Sequence, residues 1–164
     1  MNEICDGGGE SSYHYEEIAL YCSQYRKLSK EFVNEHLEDI RNLFISNYLK
    51  FKEKTGHPCL TVAAHGDFIN VKLKLSNSII VDDRVRKETG ILREAYDAAH
   101  MNALTCRIAD QVERGKFVQK SIDAINRGEP VLELLTHPRQ WNSPFWINLK
   151  EEFCRLYREL YMKL

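Results

Sequence analysis

The chain is 164 residues long, 43% hydrophobic and 29% charged, with a formal net charge of −1. That is the length of one domain, with apolar material enough for a core, which excludes wholesale disorder. Acidic and basic residues are mixed along it, so no basic stripe invites nucleic acid, and no apolar run approaches the roughly 20 residues of a membrane span.

Residues 1–12, MNEICDGGGESS, are acidic and glycine-rich, which is not the basic-then-apolar pattern of a signal peptide. They read as a flexible leader, with order expected from Tyr13. Five cysteines, Cys5, Cys22, Cys59, Cys106 and Cys154, are widely spaced and form no CxxC pair. Idle or buried thiols of a reducing compartment are the expectation, and hence a cytoplasmic location.

The longest periodic stretch predicts one helix over residues 29–55. Val33, Leu37, Ile40, Phe44, Tyr48 and Phe51 recur three or four apart, Ser29 caps the start, and Gly56 and Pro58 supply the stop. CLTVAA, residues 59–64, reads as a buried parallel strand and runs into His65 and Asp67. A helix is predicted over residues 82–89, ended by Gly90. Strands follow at residues 91–96, reaching Asp97, and at 104–108, reaching Asp110. Residues 117–127 read as a helix with Val118, Ile122 and Ile125 as its inner stripe, stopped at Gly128. A strand at 131–135 leads to Thr136, His137 and Pro138, and an amphipathic helix closes the chain over 144–164.

Strands alternating with helices imply parallel pairing through crossovers, with a site at the carboxyl ends of the strands. His65, Asp67, Asp97, Asp110 and His137 each follow an apolar strand. Any one of them is ordinarily a cap or a solvated loop residue; it is the joint pattern that points to chemistry. Pro138 biases His137 towards an extended backbone, Trp141 could wall its ring, and an imidazole so held suits general acid catalysis near neutral pH.

The segments SSYHYEE, LTVAAHGDF, GILREAYDA and LLTHPRQW, in that order, resemble polysaccharide deacetylase-like proteins of the NodB-homology type (carbohydrate esterase 4-like), especially a bacterial subgroup tied to surface polysaccharides. The resemblance implies a distorted (β/α) barrel, here an incomplete one, and metal-dependent removal of acetyl groups from a sugar or polysaccharide precursor. It places the catalytic acid at His137. It places a metal-binding histidine at His14, although Ile18 stands where a second is usual, with His65 as the replacement ligand and zinc as the expected ion. Asp110 is the candidate catalytic carboxylate, and Asp67, Asp97 and Trp141 are candidate substrate contacts. The family's first motif, a strand ending in paired aspartates, has no counterpart ahead of Tyr13. The expectation is therefore a truncated chain, inactive alone, whose unpaired sheet edge favours self-association. A non-catalytic carbohydrate- or protein-binding remnant is the alternative, and coincidence within an unrelated α/β domain is the third reading.

Overall fold

The computed structural model describes residues 5–137, 146, 149, 150, 153, 154, 156, 157 and 160, the side chains of Gln111 and Arg114 aside. The chain divides into two compact units, Met1–His100 and Met101–Leu164.

In the first unit a three-stranded parallel sheet has the order β1 (Tyr13–Tyr15), β2 (Thr61–Ala64), β3 (Arg93–Glu94). Parallel neighbours need long crossovers, and helices supply them. Between β1 and β2 lie α1 (Glu17–Tyr25), α2 (Lys30–Glu35) and α3 (Leu37–Thr55). Between β2 and β3 lie α4 (Phe68–Leu73), a 3₁₀ turn (Asn77–Ile80) and α5 (Asp83–Thr89). The expected single helix over 29–55 is thus two. Ser29 caps α2 as its sequence suggests, its Oγ accepting from Phe32 N at 3.1 Å. The break falls at His36, where the backbone N–H and the ring Nδ1 both engage the Phe32 carbonyl. The expected stripe holds across the break in part: Val33, Ile40, Phe44 and Tyr48 are fully buried, while Leu37 and Phe51 are half-buried.

The alternation of a strand explains β1. Tyr13 and Tyr15 face one side, where their rings meet Phe44 of α3 at 5.9 and 4.9 Å between centroids. His14, between them, faces the other side and is exposed. Contacts to β2 begin ahead of Tyr13: Glu10 Oε1 accepts from Thr61 N at 2.8 Å, and the Ser12 and Thr61 hydroxyls bond. The helix expected over 82–89 forms as α5, with Asp82 Oδ1 capping Val85 N at 2.9 Å and Gly90 at φ 79° closing it.

In the second unit β4 (Cys106–Ala109) pairs in parallel with β5 (Leu132–Leu135), linked by α7 (Asp110–Glu113) and α8 (Phe117–Asn126). The helix α6 (Ala98–Ala103) spans the division between the units. The core here is Ile108, Phe117 and Ala124, with Cys106 and Leu132 against it. The inner face of α8 differs from the one the sequence suggests: Val118, Ile122 and Ile125 are 53%, 46% and 61% exposed. Phe117, Ser121 and Ala124 form an equally periodic stripe one residue round, about 100° away. Ser121 can be buried there because its Oγ donates to Phe117 O at 2.8 Å.

Among the described residues the strands thus form two separate parallel sheets. The architecture is mixed α/β as expected, and no closed barrel is present among them. The described positions from Trp146 to Leu160 are helical, while Phe145 and Tyr161 lie outside the described residues. No helix among the described residues is long and apolar enough to cross a membrane.

Candidate functional site

Two groups of polar residues sit at strand carboxyl ends, one in each unit. In the first unit the β1–β2 ladder pairs His14 with Ala63 and Tyr15 with Ala64. One further bond, His65 N to Tyr15 O at 2.7 Å, carries the ladder past the end of β2. The consequence is that the His14 and His65 rings lie side by side, 4.8 Å between centroids and at 77° to each other. Glu16 Oε2 stands 3.9 Å from His65 Nε2.

Asn77 fixes the loop after β2. Its Nδ2 donates to His65 O at 2.6 Å and to Asn70 Oδ1 at 3.2 Å, and its Oδ1 accepts from Ile18 N at 3.3 Å. A small cavity of about 110 Å³ opens here, lined by Ala64, His65, Gly66, Asn70, Ser76, Asn77 and Tyr96. Asp67 beside it is occupied as the N-cap of α4, accepting from Ile69 N at 2.9 Å. Both oxygens of Asp97 accept from Arg86 Nη2, at 2.7 and 2.9 Å, and Oδ2 also accepts from Glu94 N at 2.9 Å. Both aspartates, candidates for substrate contact, thus have local hydrogen-bonding work.

Glu94 had no place among the candidates, because a glutamate inside a short strand reads as a solvated position. It is 1% exposed. Its Oε1 accepts from Ala64 N at 3.0 Å and from the Tyr15 hydroxyl at 3.4 Å, and its Oε2 accepts from Tyr96 N at 2.6 Å. Burial outweighs the two backbone donors, which act the other way, and holds its carboxyl above the usual range.

In the second unit Asp110 directly follows β4 and His137 stands two residues past β5. Because Ala109 is in register with Leu135, the parallel pairing brings the two residues together. Asp110 is 4% exposed. Its Oδ2 accepts from the His137 backbone N–H at 2.6 Å, and its Oδ1 lies 2.7 Å from His137 Nδ1. One carboxylate therefore anchors both the main chain and the ring of His137. With Nδ1 facing Asp110, Nε2 is the ring nitrogen left to exchange protons elsewhere.

His65 belongs to the first unit and His137 to the second. Trp141 and Pro138 lie outside the described residues. Among the described residues no three His, Cys, Asp or Glu side chains form a group that could hold a metal ion. His14 and His65 alone fall short of the about three protein ligands a catalytic zinc site requires. No family model, curated protein or solved structure matches the chain.

Proposed function

We propose that the chain is a polysaccharide deacetylase-like module whose substrate class is an acetylated sugar, with His137 as its general acid. The observation that carries this reading is the contact of 2.7 Å between Asp110 Oδ1 and His137 Nδ1 at the carboxyl end of a parallel strand pair. Removal of an acetyl group adds water to the acetyl carbon, then breaks its bond to the sugar nitrogen or oxygen. The departing atom needs a proton. Asp110 orients the His137 ring, and its Nε2 faces the leaving group as the proton donor. Asp110 is better read as the residue that orients this acid than as a separate base, since both its oxygens are engaged by His137.

His14 and His65 are the proposed imidazole ligands of a divalent ion, zinc in the first place, once further donors join them. Two imidazoles make a poor divalent-metal site, so the chain by itself should bind zinc weakly and release no measurable acetate. The shortage of donors favours a second reading as well, a carbohydrate-binding relative without catalysis.

Chitooligosaccharides added to the ¹⁵N-labelled protein at millimolar concentration test the proposal. Shifts at His137 and at the rim around His65 are expected. Their absence from both places would overturn a sugar-directed function. Acetate release that a chelator abolishes would separate an enzyme from a binding relative.

A further inference from the structure

We infer that Glu94 is a positioning residue, a buried carboxylate clamp that sets where the first unit presents His65 and Tyr96 at the rim of its sheet. The β2–β3 ladder is short. Its register ends at Val62 and Glu94, with Ala95 N donating to Val62 O at 2.9 Å. Beyond that point lie Ala64 N and Tyr96 N; the first is buried, where an N–H left unmade is expensive. The side chain of Glu94 turns back and takes both, one on each carboxylate oxygen, at 3.0 and 2.6 Å.

The two residues so held are not arbitrary. Ala64 immediately precedes His65, and both Ala64 and Tyr96 line the small cavity at the rim. Glu94 is itself tied down, since its N–H donates to Asp97 Oδ2 at 2.9 Å and Arg86 grips both oxygens of Asp97. A chain of charge-assisted bonds thus runs from α5 through Asp97 and Glu94 to the backbone beside His65. Ordinary core packing would be served by any apolar side chain of this size. A carboxylate at 1% exposure costs burial energy that only its donors offset, which assigns it to holding those donors.

The bearing of the clamp on catalysis rests on the deacetylase-like reading, but the clamp itself does not. Its test is amide hydrogen exchange and histidine ring NMR on the full chain, comparing the native protein with Glu94→Gln. An amide side chain keeps one acceptor and puts a donor against the other N–H. Protection at Ala64 or Tyr96 should fall about tenfold or more, and the His65 ring resonances should move, while amides of α3 keep their protection. A folded Glu94→Gln with unchanged Ala64, Tyr96 and His65 signals would overturn the inference. So would an equal loss of protection throughout the first unit, which would mark a merely structural role. Should the variant not fold, the native protein decides: Ala64 and Tyr96 amides exchanging as fast as that of Gly66 would show that no clamp exists. Failure of sugar binding would leave each of these outcomes standing.

Discussion

Three buried carboxylates, Glu17, Glu94 and Asp110, differ in what their two oxygens do, and the difference decides what an amide in their place would cost. Glu17 uses only Oε1, which accepts from the Tyr13 hydroxyl at 2.6 Å and Asn47 Nδ2 at 3.1 Å, while its Oε2 is buried without a partner. Glu17→Gln keeps both bonds and should change stability by less than about 1 kcal/mol, whereas Glu17→Ala should cost about 3 kcal/mol, read from denaturant midpoints. Asp110 uses both oxygens on His137. Asp110→Asn must set an NH₂ against one of two donors, at a cost of about 1–3 kcal/mol, and should shift the His137 proton away from Nδ1. Long-range ¹H–¹⁵N spectra of the ring check this, and an unchanged Nδ1–H tautomer would refute it. Glu94 gives the pH dependence. Its folded pKa lies above its ordinary value of 4.5, so the folded state holds the proton more tightly than the unfolded chain. Its contribution to stability is therefore full below that value and is lost as pH rises through the folded pKa. Stability measured upward from pH 4 should fall less steeply in Glu94→Gln than in the native protein.

At the scale of elements, α8 shows how far sequence can be read and where it stops. Its existence and length are legible from periodicity, but Val118, Ile122, Ile125 and Phe117, Ser121, Ala124 are both helical stripes. Only the pairing of β4 with β5 chooses between them, because Ile108 needs a large ring against it and Phe117 provides one. Phe117→Ala should therefore cost about 3 kcal/mol, while Ile122→Ser and Ile125→Ser stay within about 0.5 kcal/mol. Equal losses from the two faces would reverse the assignment. The cap at Ser29 was legible, because a local side chain to backbone bond needs no tertiary context. Asp82, read as the first helical residue, is instead the cap of α5. Strand ends were legible as places where polar residues gather. The partners gathered there were not, since the bond between Asp110 and His137 depends on a register set across 27 residues of sequence. Glu94 was unreadable for the same reason. Its donors come from a neighbouring strand and from beyond its own, and no local pattern announces them.

At the scale of the molecule, the two units differ in how much apolar surface their described residues bury, and the cysteines report on both. The first unit buries Tyr15, Ile18, Phe44, Tyr48 and Val62 together with Cys22 and Cys59. Burial pushes the Cys22 thiol up to about 11 and raises Cys59 as well. The thiolate is the reactive form, so at pH 8 only about a thousandth of Cys22 is competent even before access is considered. Cys154 is exposed, and Cys5 and Cys106 are half-buried. Iodoacetamide on the native protein should therefore modify Cys154 first and leave Cys22 and Cys59 intact. Cys106 packs against the core of Ile108, Phe117 and Ala124, the smaller of the two among the described residues. Since stabilisation scales with apolar area removed from water, that core should open at lower denaturant than the first. Mass spectrometry after brief labelling across a urea series should find Cys106 fully modified at concentrations where Cys22 and Cys59 remain free thiols. Modification of Cys106 and Cys22 at one common midpoint would show instead that the two cores open together, in a single cooperative transition.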